Sequence, residues 1–204
     1  MPTSDVKAEK AALRKRLLAH RSQIPIDIHN GYSRLLRDLL LELPQVGGAG
    51  TVAVYYSVGS EPSTRSLVYA LWKQGHYVVL PALLPDGDLD WASYEGPDSM
   101  VPGPRGLLEP SEAGRGAGTV ARADVVIVPA LAVSHSGMRL GRGGGSYDRA
   151  LARVGEQVPT IALLFDDEML GSVPSAPHDR PVRAVATPAR GITWLPARLL
   201  FSSR

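Results

Sequence analysis

The chain has 204 residues, of which 44% are hydrophobic and 21% are charged. This composition is ordinary for a globular protein with a buried core, and the length favours a single domain, residues 1–204. Lysine and arginine total 22 against 20 aspartates and glutamates, a formal net charge of +2. Because the charges balance and form no long block of one sign, the composition indicates neither a nucleic-acid binder nor a membrane-surface protein.

The chain lacks cysteine, which excludes a disulfide scaffold, a thiolate nucleophile and a cysteine-ligated zinc site. No stretch approaches the roughly 18 consecutive apolar residues of a membrane span. The first 21 residues lack the apolar segment of a secretory signal peptide. We therefore expect a cytoplasmic protein with no membrane partner, and we expect a monomer.

The first predicted elements are two helices. Apolar residues spaced near 3.6 predict a helix over residues 4–22, and a leucine-rich side predicts another over 27–43. Ile24 and Pro25 separate the two. After a glycine-rich turn, residues 51–56 form a short run of β-branched and aromatic residues, which is typical of a buried strand.

The rest of the chain alternates strands with helices. Helices are predicted over residues 63–74 and 147–154, and strands over 77–80, 89–94, 124–129, 160–165 and 182–187. We interpret residues 97–119, which are rich in glycine and proline, as a surface excursion. The alternation predicts an α/β fold with a mostly parallel central sheet. We expect three layers, α/β/α, in a Rossmann-like arrangement.

Residues 138–149, Met-Arg-Leu-Gly-Arg-Gly-Gly-Gly-Ser-Tyr-Asp-Arg, carry the most information. Their glycines let the backbone adopt unusual conformations and let a ligand approach closely. Backbone N–H groups of such a loop, together with the start of a helix near Tyr147, can bind an anion. Arg139 and Arg142 add positive charge, and Asp148 could hold Mg²⁺ against the same phosphates. The alternative is a flexible turn followed by an acidic first helical turn.

This segment differs from two common phosphate-binding motifs. It has no lysine and does not match the Walker A pattern. It also lacks the third glycine of a dinucleotide fingerprint, because Ser146 stands there.

The glycine-rich segment, with Val-Pro-Ala-Leu-Ala at 128–132 before it, closely resembles the signature of 5-formyltetrahydrofolate cyclo-ligases (methenyltetrahydrofolate synthetases). Weaker elements follow the order found in that family. They are Lys10 and Arg14 in Lys-x-x-x-Arg, residues 55–64 with Glu-x-x-Thr, residues 106–110 ending in Glu-Pro, and His178-Asp179.

The resemblance implies an enzyme that uses ATP and Mg²⁺ to convert 5-formyltetrahydrofolate into 5,10-methenyltetrahydrofolate, ADP and phosphate. It implies phosphorylation of the formyl oxygen and attack by N10, with catalytic roles for Arg139, Lys10 and Arg14. The implied ATP-binding residues are Lys10, Arg14, Arg139, Leu140, Gly141, Arg142, Gly143, Gly144, Gly145, Ser146 and Tyr147. The implied folate-binding residues are Tyr56, Glu61, Arg142, Gly143, Gly144, Gly145 and Ser146. The implied Mg²⁺ ligands are Asp148 and Asp179.

Each assignment has a structural alternative. Lys10 and Arg14 are four residues apart and share a helix face, where both could also be solvated surface cations. Tyr56 could be a core aromatic residue, Glu61 an ordinary loop residue, and Asp179 a turn residue in a proline-rich stretch.

Several positions depart from the family pattern. Val133 and Ser134 stand where Phe-Asp is common, Ser146 replaces a tyrosine, and Glu168 stands where glutamine is frequent. These changes alter the expected folate side of the site: Ser146 removes an aromatic wall, and Ser134 removes a nearby carboxylate. An alternative function is therefore a nucleotide- or folate-binding protein with altered or lost turnover.

Overall fold

The structure is a computed structural model that describes residues 4–103 and 106–196. The predicted domain, residues 1–204, extends beyond these ranges at both ends. The helices are α1 (Ser4–Arg21), α2 (Ile26–Leu41), α3 (Pro44–Gly47), α4 (Arg65–Lys73) and α5 (Ser146–Leu151). The strands are β1 (Thr51–Val54), β2 (Tyr77–Leu83), β3 (Leu89–Ser93), β4 (Met100–Pro102), β5 (Leu108–Pro110), β6 (Val125–Pro129), β7 (Ala132–Ser134), β8 (Arg139–Leu140), β9 (Thr160–Leu163), β10 (Met169–Leu170), β11 (Ala184–Thr187) and β12 (Gly191–Trp194).

A seven-stranded sheet in the order β12-β11-β9-β6-β1-β2-β3 forms the centre of the molecule. Strands β11, β9, β6, β1 and β2 pair in parallel, and the edge strands β12 and β3 pair antiparallel to their neighbours. The parallel strands place their carboxyl ends at one edge of the sheet, where open α/β sheets bind ligands. The predicted α/β fold with a mostly parallel sheet is confirmed.

Helices cover both faces of this sheet because its buried strands present apolar side chains to both sides. On β1, Val52 and Val54 pack with residues of α2 and α4, whereas Ala53 packs in a second cluster that includes Ala150 and Leu151 of α5. A third cluster joins Leu17 of α1 to Leu131 and Leu140. This last cluster holds α1 beside the small sheet β10-β7-β8.

In the described part of residues 97–119, which leaves out residues 104 and 105, most residues are exposed or partly buried, as a surface excursion requires. The segment nevertheless has secondary structure. Two 3-10 helices, Pro97–Ser99 and Ala117–Arg122, flank the antiparallel pair β4–β5. The strands were not predicted because three residues are too few to show an alternating pattern.

Among the described residues, no helix combines the length and the hydropathy that a transmembrane helix needs.

Candidate active site

A cavity of about 530 Å³ opens at the carboxyl edge of the central sheet. Its walls come from α1, the segments that follow β1 and β6, the strands β2 and β5, and the glycine-rich loop. Every residue that the sequence analysis assigned to the site lies on this cavity. These residues are Lys10, Arg14, Tyr56, Glu61, Arg139, Leu140, Gly141, Arg142, Gly143, Gly144, Gly145, Ser146, Tyr147, Asp148 and Asp179.

The glycine-rich loop, residues 141–145, connects β8 to α5. Gly143 and Gly145 have φ angles of 109° and 70°, which other residues adopt only with strain. A Cβ atom on Gly141 would lie 2.6 Å from Nη1 of Arg139, and one on Gly143 would lie 3.4 Å from Cζ of Arg14. The glycines therefore permit the turn and let two guanidinium groups approach the loop backbone.

Helix α1 brings Lys10 and Arg14 to the cavity from one face, as their spacing predicted. Nε of Arg14 donates a hydrogen bond of 2.8 Å to the carbonyl oxygen of Gly141, which ties the helix to the glycine-rich loop. Nζ of Lys10 lies 2.5 Å from Oδ2 of Asp179, a residue almost at the other end of the described chain.

Three cations of the cavity are paired with carboxylates. Besides the pair Lys10–Asp179, Nη2 of Arg139 lies 3.1 Å from Oδ1 of Asp148, and Nε of Arg142 lies 3.2 Å from Oε1 of Glu61. Burial raises the pKa of Asp179, but hydrogen bonds from Lys10 and the Ala176 N–H outweigh it and hold that pKa below its usual value. The pairs thus balance charge inside the site.

Glu61 is 6% exposed, and its Oε2 accepts a hydrogen bond of 2.9 Å from the Val58 N–H. Burial raises its pKa, and the Val58 N–H and Arg142 offset only part of that effect. Tyr56 is half-buried, with the Arg65 guanidinium 5.3 Å from its ring centroid. Glu61 therefore offers the cavity a carboxylate, and Tyr56 offers a ring that is not part of the deep core.

Tyr147 lines the cavity beside Arg139. The guanidinium of Arg139 is 5.9 Å from its ring centroid. Burial, with the nearby carboxylate of Glu61, raises the pKa of the Tyr147 hydroxyl well above its usual value. This hydroxyl therefore stays protonated at neutral pH.

The two predicted metal ligands lie on the same cavity, and their chemistry suits Mg²⁺. Oδ1 of Asp148 accepts hydrogen bonds from Arg139 and the Arg180 N–H, both at 3.1 Å. Among the described residues, no cluster of three His, Cys, Asp or Glu side chains could hold a metal ion. Because Mg²⁺ is usually held by one or two carboxylates with substrate phosphates and water, Asp148 and Asp179 fit an ion that arrives with a nucleotide.

Comparison with known proteins identifies the family. A model of the 5-formyltetrahydrofolate cyclo-ligase family matches residues 6–188. The chain belongs to this family. The cyclo-ligase of Mycolicibacterium smegmatis is 40% identical over 191 residues, which cover 91% of this chain and 97% of that protein. The Escherichia coli K12 cyclo-ligase is 33% identical over 158 residues, 76% of this chain and 87% of that protein.

Solved structures of similar proteins have the same fold. The 5,10-methenyltetrahydrofolate synthetase of Aquifex aeolicus superposes with a TM-score of 0.79 at 24% identity, covering 91% of this chain and 92% of that one. The synthetase of Mycoplasma pneumoniae gives a TM-score of 0.68 at 19% identity, covering 87% and 97%. The predicted membership of the cyclo-ligase family is confirmed, and so is the predicted fold class.

The departures from the cyclo-ligase signature have different consequences. Ser134 does not line the cavity: it is buried, and its Oγ lies 2.9 Å from Oγ of Ser136 and accepts a hydrogen bond from the Met138 N–H. The expectation that Ser134 alters the substrate side is therefore wrong, because β7 turns this side chain into the core. Ser146 does line the cavity, and its Oγ donates a hydrogen bond of 2.5 Å to the Gly87 carbonyl oxygen.

The apolar wall of the cavity was missed by the sequence analysis. It consists of Pro81, Leu83, Leu89, Leu107 and Leu108. Glu109 lies beside this wall, and its Oε1 accepts a hydrogen bond of 2.8 Å from the Leu83 N–H. The adjacent leucines within the glycine- and proline-rich segment were the signal available in the sequence, since leucine is unusual in a solvated loop.

Proposed function

We propose that this protein is an ATP- and Mg²⁺-dependent cyclo-ligase that converts 5-formyltetrahydrofolate into 5,10-methenyltetrahydrofolate and releases ADP and phosphate. The observation that carries the proposal is one cavity lined both by the paired charges of α1, the glycine-rich loop and Asp179 and by an apolar wall. An ionic end suits a triphosphate, and the apolar wall suits the ring system of a reduced folate.

The chemistry requires that a poor leaving group be activated. The N5-formyl group is an amide, so its oxygen does not leave unaided. Transfer of the γ-phosphoryl group of ATP to this oxygen forms an O–P bond and releases ADP. The lone pair of N10 then attacks the formyl carbon. The C–O bond breaks with its electron pair on phosphate, and N10 loses its proton as the methenyl bridge forms.

Lys10, Arg14 and Arg139 are proposed to align the phosphates and balance the charge that builds up during phosphoryl transfer. Arg139 suits this role because its guanidinium lies on the cavity, and its buried Nε has no hydrogen-bond partner among the residues that the structure describes. The N–H groups of residues 140–147 are proposed to contact the nucleotide, with flexibility for close approach supplied by the glycines.

We propose that nucleotide binding exchanges the partners of the ion pairs. Lys10 and Arg139 would separate from their carboxylates and bind phosphate oxygens. Asp179 and Asp148 would then hold Mg²⁺. When bound, the ion would neutralise charge on the phosphates. The two carboxylates would repel a nucleotide that arrives without the metal, and the two cations would repel the metal alone. ATP and Mg²⁺ are therefore expected to bind together.

The folate is proposed to occupy the other end of the cavity. The Glu61 carboxylate would accept hydrogen bonds from N–H groups of the pterin, and Tyr56 would contact its ring. Arg142 and residues 143–146 line the same cavity and are proposed to contact both substrates. The pair Arg142–Glu61 supports this arrangement because it joins the glycine-rich loop to the proposed folate end.

The ultraviolet absorbance of the methenyl product tests the proposal. Purified protein is mixed with 5-formyltetrahydrofolate, ATP and Mg²⁺, and each component is omitted in turn. We expect an absorbance rise that requires all three and a matching release of phosphate. A folded protein that binds folate tightly, yet gives a flat trace and consumes no ATP, would contradict the proposal and favour a binding protein without turnover.

A further inference from the structure

A fully buried ion pair lies outside the cavity. Arg21 is the last residue of α1, and Glu168 lies between β9 and β10. Both side chains have 0% exposure. Nε and Nη2 of Arg21 donate hydrogen bonds of 2.6 and 2.7 Å to the two oxygens of Glu168, a bidentate geometry. Neither residue lines the cavity.

This pair connects three parts of the fold. Oε2 of Glu168 also accepts a hydrogen bond of 2.9 Å from the Phe165 N–H, just beyond β9. Nη2 of Arg21 also donates to the carbonyl oxygen of Ala130, just beyond β6, at 2.7 Å. The end of α1 is thereby fixed to the carboxyl ends of two neighbouring strands.

Stability alone explains the pair poorly. Removing two charges from water costs a desolvation free energy that offsets much of their mutual attraction. Apolar side chains of similar volume often stabilise a fold as well or better. The cost is higher here because Nη1 of Arg21 has no hydrogen-bond partner within the described part of the chain. What apolar side chains cannot reproduce is the fixed direction of the hydrogen bonds.

The contacts of the pair lead to the proposed nucleotide end of the cavity. Ala130 lines the cavity, and the preceding carbonyl, that of Pro129, accepts a hydrogen bond of 3.2 Å from Nη1 of Arg139. The two guanidinium groups therefore hold adjacent peptide carbonyls. On α1, Lys10 and Arg14 precede Arg21 by 11 and 7 residues, which places all three on one helix face.

We propose that Arg21 and Glu168 are positioning residues that fix α1 and residues 129–131 against the glycine-rich loop, and so set the placement of Lys10, Arg14 and Arg139. The identity of the ligand, Mg²⁺-ATP, rests on the proposed function. Loss of the pair is expected to weaken nucleotide binding and to change folate binding little, because Glu61 and Tyr56 follow β1 and Arg21 acts on Glu61 only through its charge, the weakest of the causes that set the pKa of Glu61.

The test separates positioning from stability. In the double variant Arg21→Met/Glu168→Met, no buried charge is left unpaired, so we expect the fold to persist. The melting temperature should fall only modestly, because the Phe165 N–H and the Ala130 carbonyl lose a partner. We expect the Kd for Mg²⁺-ATP to rise roughly ten- to a hundredfold, a loss typical of misplaced binding groups. The Kd for 5-formyltetrahydrofolate, measured without nucleotide, should stay within about twofold. A double variant with the wild-type Kd for Mg²⁺-ATP would overturn the proposal.

Two further variants keep the test decisive. Arg21→Lys keeps the positive charge and loses the bidentate geometry of the guanidinium, and it should also weaken Mg²⁺-ATP binding. The control Asp124→Asn replaces a carboxylate with a neutral amide. This carboxylate lies far from α1 and accepts hydrogen bonds from the N–H groups of Gly50 and Thr51. The control variant should lower the melting temperature without changing the Kd for Mg²⁺-ATP. An equal loss of nucleotide affinity in Asp124→Asn and Arg21→Lys would show general destabilisation and overturn the proposal.

Hydrogen exchange of the ligand-free protein gives a readout that does not depend on the proposed function. Amides of α1 should exchange faster in the double variant, whereas those of α2 should not. If wild-type protein binds no Mg²⁺-ATP, the proposed function fails, and exchange in α1 alone decides whether the pair fixes the helix. Unchanged exchange in α1 would then overturn the positioning role.

Discussion

Lys10, Arg139 and Arg142 are already paired with carboxylates in the cavity, and this affects what each substitution does. Arg139 contacts the Asp148 carboxylate, the Pro129 carbonyl and the face of Tyr147. Removing its guanidinium therefore affects a carboxylate proposed to bind Mg²⁺ as well as a group proposed to bind phosphate. The kinetic constants, and not affinity alone, distinguish these effects.

We expect Arg139→Ala to lower kcat by roughly a hundred- to a thousandfold, the loss typical when one donor to a developing charge is removed. The KM for 5-formyltetrahydrofolate should change little, because Arg139 lies at the proposed nucleotide end. Steady-state kinetics at saturating Mg²⁺ measure both constants. The matched variant Arg139→Lys keeps the charge and should retain more activity than Arg139→Ala. A loss confined to the folate KM would contradict the assignment.

The buried carboxylate of Glu61 predicts a pH dependence of folate binding. Its pKa is raised above 4.5, mainly by burial. Only the ionised carboxylate accepts charge-assisted hydrogen bonds at both oxygens, so affinity should be full above this pKa and should fall as the pH drops through it. The Kd for 5-formyltetrahydrofolate, measured against pH, should therefore inflect above 4.5.

Two variants check this inflection. In Glu61→Gln the side chain does not titrate, so the inflection should disappear and affinity should be low throughout. In Arg142→Gln the inflection should move to higher pH, because Arg142 lowers the pKa of Glu61. An inflection that persists unchanged in Glu61→Gln would assign it to another group.

At the scale of elements, the turn between β2 and β3 is fastened to α5 and to Arg153 just after it. The Asp88 carboxylate takes hydrogen bonds of 3.0 and 2.5 Å from Nη1 and Nη2 of Arg153, and these hold the pKa of Asp88 below its usual value. Ser146 and Arg149 both donate to the carbonyl oxygen of Gly87. Because Leu83 and Leu89 flank this turn and line the cavity, the fastening shapes the apolar wall.

We expect Arg153→Ala to raise the KM for 5-formyltetrahydrofolate by roughly two- to fivefold, because partly exposed ion pairs contribute up to about 1 kcal/mol. The KM for ATP should stay the same. The matched control is Arg37→Ala, which removes another partly exposed pair, that with Asp38 on α2. Steady-state kinetics of both variants measure the folate KM. Equal values in Arg153→Ala and Arg37→Ala would show that the pair of Arg153 with Asp88 does not shape the site.

At the scale of the whole molecule, the cavity joins segments from opposite ends of the chain. Lys10 belongs to the first helix, and Asp179 follows β10. A ligand that contacts both should stabilise the entire fold, since binding to the native state alone raises the free energy of unfolding.

Mg²⁺ and ATP together, near 100 times their Kd, should therefore raise the melting temperature by roughly 5–10 °C. We expect a much smaller shift from ATP with a chelator or from Mg²⁺ alone, because each would leave like charges unbalanced. The rise in melting temperature with Mg²⁺ and ATP together should exceed the sum of the rises with each alone. In Asp148→Asn this excess should be smaller, and differential scanning calorimetry measures it. Equal shifts with and without Mg²⁺ in the wild type would contradict the exchange of ion-pair partners.

Part of the fold was predictable because its signals are local. The strands β1, β6 and β9 are uninterrupted apolar runs, and α2 shows a leucine-rich side, so short windows were sufficient. The small strands β7, β8 and β10 were not predictable, because two or three residues show no period. Their pairing depends on partners far away in the sequence.

The sequence by itself determined the family, the α/β class and many of the charged residues and glycines that line the cavity, because a motif records which side chains and glycines a site needs. Only the tertiary structure decided which charges pair, that Ser134 lies in the core, and that Arg21 meets Glu168 across 147 residues. The physical reason is that pairing and burial depend on distances between segments remote in the chain. Such distances are set by the packing of α1 and the strands together, and no local pattern encodes them.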